Sequence, residues 1–432
     1  MGDNINKIIP TSNYEKIVHE NFPQIGKKSL VDFSIDDLNE TEILPTNCDL
    51  NTLSSLEFTI DPSSTHFLDL GSFEIDFKLR IIDDAGGREG VDADSQVYFI
   101  NNIIQTIFVS RRCWMNGVPV ENEYYGAHLS YLRQLLDTPN YVVENRGRIM
   151  GAFPINSNSV ASDINVAHMA NMVKRKEFSK GDWIHLRGPL NLAISTSDNW
   201  LLDRVSVKLA LELARPNFAL NVVGGHAFRY EIRSPKLIVT RVKPTTSAFL
   251  NVYNSLLNGT PLDYLFKRHV THTEIFASGQ NTLTVNRPFQ SKIPGKIYVF
   301  MSKQSGVNGS YTSDPFYYER NHMINYKCVI DGVTIIDRDV DDNAVVSYHD
   351  SMLKHGNNMT FIDYEVFKKG GFVLVFQTGY SSEIGVEKVG NLQIKLRMDR
   401  NLNENYTVFT VGEIFSTFEI NTDRSVSTHY AY

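Results

Sequence analysis

The sequence predicts an all-β chain of two eight-stranded β-sandwich domains in tandem, with a few short helices. Three observations predict it. The stretch Arg112-Cys113-Trp114-Met115-Asn116-Gly117-Val118-Pro119-Val120 alternates apolar and polar residues on both sides of Asn-Gly. That dipeptide suits a two-residue hairpin turn, because both central residues must take positive φ. The same form returns as Lys327-Cys328-Val329-Ile330-Asp331-Gly332-Val333-Thr334-Ile335, and Cys113 and Cys328 stand 215 residues apart (328 less 113), half of the 432-residue chain. Such a spacing indicates two copies of one domain. Finally, aromatics make up 11% of the chain, with 25 Phe and 20 Tyr, which favours strands.

The flanking elements repeat in order. Leu56-Glu57-Phe58-Thr59-Ile60 is matched with Thr271-His272-Thr273-Glu274-Ile275-Phe276, and His66-Phe67-Leu68-Asp69-Leu70 with Asn281-Thr282-Leu283-Thr284-Val285. Residues 73–81 alternate with period two and correspond to 295–301. Residues 205–211 correspond to 392–398, and each is followed by one long strand-like run, 228–243 and 406–420. The downstream offset is shorter than 215, so the copies differ in loop length. Two β domains of about eight strands with long loops fit a pair of jelly rolls.

In chain order, residues 1–49 read as an N-terminal arm. Pro10, Pro23 and Pro45 interrupt it, and Ile8, Ile9, Ile17, Val18 and Phe22 are too scattered to build a core. The first domain spans 50–244. Within it Val97, Ile100, Ile103, Ile104 and Ile107 carry helical spacing, and a second short helix runs from Tyr125 to Leu136. Residues 138–180 read as a polar loop that projects or meets a neighbour, with Met150, Phe153, Met169 and Met172 as its contact residues. A linking helix follows at 245–261, with Ala248, Leu250, Val252, Leu256 and Leu257 at its apolar positions. The second domain spans 262–420, and 421–432 form a polar tail.

Length and composition fit two domains, with 42% apolar and 21% charged residues. A net charge of −7 offers no basic stripe for nucleic acid. Three cysteines cannot make a disulfide framework, so free thiols and an intracellular assembly site are expected. No apolar run approaches the roughly 20 residues of a membrane span, and no signal sequence is expected from the first residues.

The candidate chemistry is sparse. Asp83, Asp84, Asp92 and Asp94, and Asp337, Asp339, Asp341 and Asp342, could offer oxygens to calcium but lack the spacing of a calcium loop. His269, His272 and Glu274 suggest zinc, yet on a strand His269 points away from the other two. Gly224-Gly225 and Gly370-Gly371 precede strands, so they are not phosphate cradles. Asn39, Asn258, Asn308, Asn358 and Asn405 begin sequons expected to be unused. No nucleophile elbow or carboxylate pair stands out. The expectation is a protein with no catalytic, cofactor-binding or metal residue, and not an enzyme.

Several stretches also resemble a known family. They are Asn101-Asn102-Ile103-Ile104-Gln105-Thr106-Ile107-Phe108 leading into the first hairpin, Tyr124-Tyr125-Gly126-Ala127-His128-Leu129-Ser130-Tyr131-Leu132, and Leu201-Leu202-Asp203-Arg204-Val205. Asn308-Gly309-Ser310-Tyr311-Thr312-Ser313-Asp314-Pro315-Phe316, Asp331-Gly332 and Phe418-Glu419-Ile420-Asn421 continue the resemblance. Over about 50–425 the chain resembles the double jelly-roll, hexon-like major capsid proteins of the tectivirus–adenovirus lineage, above all those of Polinton/Maverick and adintovirus-like elements. The resemblance implies homotrimeric, pseudo-hexameric capsomers tiling an icosahedral shell, found in the virion and assembled in the host nucleus or cytoplasm. It implies as partners further copies of the chain, penton and other minor capsid proteins, and no sequence-specific nucleic acid. The alternatives are a carbohydrate-binding β-sandwich protein, for example a receptor-binding one, and a minor or penton-type capsid protein.

Overall fold

The computed structural model describes residues 35–47, 54–83, 88–89, 96–155, 170–197, 199–223, 227–356, 362–378 and 389–428. The first roll has strands β1 (Ile35–Ile43), β2 (Ser55–Ile60), β3 (Glu74–Asp83), β4 (Phe108–Met115), β5 (Val118–Tyr124), β6 (Ile184–Pro189), β7 (Val207–Leu213) and β8 (Phe228–Pro244). The second has β9 (Leu262–Phe276), β10 (Thr282–Asn286), β11 (Lys296–Lys303), β12 (Met323–Ile330), β13 (Val333–Asp339), β14 (Val373–Gln377), β15 (Leu392–Met398) and β16 (Tyr406–Ile420). One sheet of the first roll runs β1-β8-β3-β6 and the other β2-β7-β4-β5. The second roll repeats both, β9-β16-β11-β14 and β10-β15-β12-β13. Adding eight to each strand number converts one roll into the other, and every pairing is antiparallel.

The two hairpins match at single-residue level. Asn116 and Gly117 have φ 45° and 82°, and Asp331 and Gly332 have 50° and 81°. A bulge follows the cysteine in each, between Cys113 and Trp114 and between Cys328 and Val329. Both cysteines are buried free thiols. Burial pushes the Cys328 thiol up to about 11 and that of Cys113 well above its usual range, so neither is nucleophilic at neutral pH. Cys48 lies outside the described residues.

Period two explains the sheets of the first roll. Ile75, Phe77, Leu79 and Ile81 of β3 are buried, while Glu74, Asp76, Lys78 and Arg80 face outward. The matching strand β11 breaks this rule, because Ile297 through Ser302 are buried on both faces. One face fills the second roll's core; on the other Phe300 and Ser302 meet Tyr318 and Pro315, and His128 and Tyr131 of the first roll pack over Tyr318 and Phe409, so the rolls are packed against each other.

The structure corrects several expectations. The arm does not extend to 49: residues 35–43 are β1, paired along β8. Its Asp36, Glu40 and Glu42 side chains form ion pairs with Lys243, Arg187 and Lys236. An edge strand that relies on charge carries no apolar alternation, so it reads as loop. That omission shifts two repeat matches by one strand. The counterpart of 55–60 is 282–286, not 271–276, while 271–276 ends β9, the counterpart of β1. Residues 66–70 hold only the two-residue strand Phe67–Leu68, which pairs with β8.

Residues 97–108 are not one helix. Val97–Phe99 is a strand paired with Leu220–Val222, Ile103–Thr106 is a single turn, and β4 begins at Phe108. Asn102, at φ 57°, interrupts any continuous helix, and the periodic apolar residues are buried on all sides. The 138–180 segment is not a coreless loop. It contains helices Asn140–Arg146 and Ala170–Ser179, and it buries Val143, Ala152, Phe153 and Ile155. Met150 packs on the core, whereas Met169 and the Met172 side chain lie outside the described residues. Nor is 421–432 only a tail, because Val426–Thr428 pairs with β16. Helix α1 (Gly126–Asp137) follows β5, α2 (Thr246–Leu257) joins the rolls, and α3 (Val345–His355) follows β13. On α2 the inward residues are Phe249, Val252 and Leu256, while Leu250 and Leu257 are exposed.

Candidate functional site at the junction of the rolls

Helix α1 is the wedge between the rolls. The chain leaves β5 through Tyr125, whose φ of 59° turns it sharply into the helix. Gly126 then lies so close to β4 that a Cβ there would sit 3.2 Å from the Phe108 carbonyl oxygen. Ten of the twelve residues of α1 are buried, although the helix carries polar and aromatic side chains on every face. Its inward residues pack in the first roll, and its outward ones enter the second. The His128 ring lies 4.5 Å from Phe409 of β16 and 5.4 Å from Phe316. Tyr131 stacks on Phe316 at 4.5 Å. Burial pushes His128 down to about 3, so its ring is neutral across physiological pH.

A buried polar network holds α1 from below. Arg111 is fully buried and donates to Glu123 at 2.8 Å, to the Gln105 carbonyl at 2.8 Å and to Ser130 Oγ at 2.6 Å. Arg133 of α1 shares Glu123 at 3.1 Å. Next to them Glu121 accepts from the Ala193 and Ile194 backbone N–H groups at 2.8 and 3.1 Å. Burial, and then the Glu123 charge, push the Glu121 carboxyl up to about 7, against which the two N–H groups and Arg133 act. A raised carboxyl contributes stability that is complete below its unfolded value and lost as pH rises through its folded one. The stability difference between the wild type and Glu121→Gln should therefore fall as pH rises from about 4.5 to about 7. Urea unfolding at several pH values checks this, and comparing the two proteins removes the opposite contribution of His128.

A second weld lies at the other end. Arg424 donates to Asp203 Oδ1 at 3.1 Å and to the Tyr253 hydroxyl at 2.6 Å, and Tyr253 donates to Asp203 Oδ2 at 2.7 Å. Asn116 of the first hairpin donates to the Arg424 carbonyl at 2.9 Å.

Beside α1 lies a cavity of about 410 Å³, lined by both rolls. Arg133 and Asp137 reach it from α1, Lys267 and His269 from β9, Lys296 and Tyr298 from β11, His355 from α3 and Glu413 from β16. Arg133 donates to His269 Nδ1 at 3.1 Å, and Glu413 lies 3.9 Å from His269 Nε2. Burial first, then Arg133, Lys267 and Lys296, hold His269 neutral. His355 meets Asp137 at 2.8 Å.

The residues weighed as metal ligands are used otherwise. His272 and Glu274 pair with each other at 4.0 Å, while His269 turns inward to the cavity. Asp337 and Asp339 accept from Asn325, and the carbonyls of Asp341 and Asp342 accept from Arg320. Among the described residues no group of three His, Cys, Asp or Glu side chains is placed to hold a metal. Asp84, Asp92, Asp94, Gly224 and Gly225 lie outside the described residues, and Asp83 ends β3. Among the described residues no helix is long and apolar enough to cross a membrane.

Helix α3 follows the hairpin of the second roll as α1 follows that of the first, although α1 packs on β4 and α3 on β14. It is also entered through a left-handed residue, Ala344 at φ 53°. It packs along β14, with Ser351 Oγ accepting from the Val375 N–H at 3.2 Å. Its buried residues are Ser347, Ser351 and Met352, whereas Val345, Val346 and Leu353 are 50%, 50% and 63% exposed. So α1 is covered on both sides within the chain, and α3 only on one.

No protein-family model and no curated protein sequence matches the chain. Solved structures do. The Sputnik virophage structure is 14% identical with a TM-score of 0.65, covering 95% of this chain and 92% of the other. The mavirus major capsid protein is 13% identical, at 0.53, over 95% and 92%. The PBCV-1 virus capsid is 10% identical, at 0.58, over 95% and 100%. The chain thus has the double jelly-roll fold of viral major capsid proteins along nearly its whole length.

Proposed function

We propose that the chain is the major capsid protein of an icosahedral virus, a structural rather than catalytic protein, and that three copies form its capsomer. The observation that carries the trimer is the difference between α1 and α3. Within one chain α1 covers the outward face of the second roll's β9-β16-β11-β14 sheet. The same relation, applied again, sets α3 against the β1-β8-β3-β6 sheet of the next copy. That sheet shows Lys78, Arg80 and Arg233 outward, with Trp183 beneath the two guanidinium groups at 4.5 and 5.6 Å. Six rolls from three chains then close a ring, as a heterologous contact does when its rotation closes. Each junction would bury an area of the order expected for a stable interface, roughly 1,000 Å² or more.

Electron micrographs of the purified protein test the reading. Trimers with a pseudo-hexagonal outline support it, and isolated two-lobed monomers at micromolar concentration contradict it. The arm is separable in the same images. Deleting residues 1–34 leaves every described strand in place, so trimers should persist while closed particles decrease. Deleting 1–45 removes β1 and its eight paired positions on β8, so the trimer should be lost as well. Undiminished closed particles from the shorter deletion would mean that the arm takes no part in assembly.

A further inference from the structure

We propose that the cavity at the junction of the rolls binds a small phosphate-type oxyanion, gripped by Arg133 from the first roll and by Lys267 and Lys296 from the second. The cavity is lined by three permanent cations against two carboxylates, Asp137 and Glu413. Both carboxylates are already engaged. Asp137 meets His355 at 2.8 Å, and Glu413 serves Lys267 at 3.5 Å and Tyr298 at 3.4 Å. The cations are not fully answered. Lys296 donates to the His355 backbone carbonyl at 2.9 Å, and among the described residues no carboxylate lies within ion-pair distance of it. Arg133 has one carboxylate, Glu123, which it shares with the fully buried Arg111, and otherwise donates to the neutral His269 ring and the Asn191 carbonyl. A half-enclosed site with surplus cations favours an anion that brings several acceptor oxygens, and phosphate oxygens match both ammonium and guanidinium donors.

Leu132 and Leu136 of α1 supply the apolar part of the lining. The volume of about 410 Å³ leaves room beyond one phosphate, so a diphosphate or a phosphomonoester fits the same donors. An anion here would touch α1, β9 and β11 together. It would bind only the joined rolls, and so would stabilise the subunit by linkage. The site lies within one chain, so it stands or falls independently of the trimer.

The test is calorimetric titration of the full chain, in chloride buffer at constant ionic strength, with inorganic phosphate, pyrophosphate and adenosine monophosphate in separate runs. Saturable binding of any of the three, at one site per chain, is expected. The probe that binds tightest identifies the source as free phosphate, diphosphate or phosphomonoester. Lys296→Met should weaken that binding at least about tenfold, the loss of one charge-assisted contact. Lys327→Met, at a lysine paired with Asp337 on the β12–β13 hairpin, should leave it unchanged. If Lys296→Met does not fold, Lys267→Met carries the same comparison. No saturable heat with any probe overturns the proposal, and so does equal weakening in the cavity variant and Lys327→Met.

Discussion

Replacing Val346 and Leu353 together with lysine is expected to turn the assembled protein into a folded monomer. In the single chain these side chains are 50% and 63% exposed, so the change costs the isolated subunit about 0.5 kcal/mol or less per site. In the proposed capsomer both would be buried against the next copy. A buried ammonium set against Lys78, Arg80 and Arg233 of the next copy costs several kcal/mol, and every 1.4 kcal/mol is tenfold in the dissociation constant. Two such groups weaken each junction by roughly a thousandfold or more, and a closed ring has three junctions. Light scattering reads the mass, and urea unfolding of the monomer reads subunit stability. A variant that still forms the wild-type oligomer would remove α3 from the interface. One that loses subunit stability would show that these residues serve the roll itself.

The largest effect on the subunit is expected from Arg111→Ala. The guanidinium is fully buried and bonds Glu123, the Gln105 carbonyl, the Asn191 carbonyl and Ser130. Removing it leaves Glu123 and the Asn191 carbonyl with Arg133 alone, and takes this donor from the Gln105 carbonyl in the 103–106 turn and from Ser130 of α1. Breaking a buried pair from one side costs about 3–5 kcal/mol. In a roll of some 200 residues that lowers the unfolding midpoint by roughly 10 °C. Arg187→Ala gives the contrast. Arg187 also meets two carboxylates, Glu40 and Glu74, but its side chain is 46% exposed, so the loss should stay within about 1 kcal/mol. Similar losses in the two variants would mean that the network under α1 is no more than surface charge. Because α1 is also the wedge, Arg111→Ala should loosen the junction and expose the aromatic cluster around His128.

What the sequence made legible is set by which forces leave a local pattern. The hairpins were readable because positive φ at Asn116-Gly117 and Asp331-Gly332 demands particular residues at adjacent positions. Strands β3, β7, β8, β11, β15 and β16 were readable because one face of each fills a core. Strand β1 was not, since its pairing partners lie about 200 residues away and its side chains act through charge. Its omission displaced two repeat matches, although the overall repeat survived. The helical period over 97–108 misled because residues buried from every side satisfy any period. The junction was least visible. The TyrTyr-Gly-Ala-His segment drew notice by resemblance, but nothing local shows that His128 and Tyr131 would meet Phe409 and Phe316. The cavity joins α1, β9, β11, α3 and β16, and no spacing in the chain brings Arg133 beside Lys296. Of its lining, His269 alone stands in a sequence pattern that suggests chemistry, and that pattern, with His272 and Glu274, suggests zinc.

The most direct test of the central claim is the mass of the purified chain in solution, measured by light scattering coupled to size exclusion. A species of three times 49.1 kDa that persists on dilution is expected. A single species of 49.1 kDa across the micromolar range would contradict it.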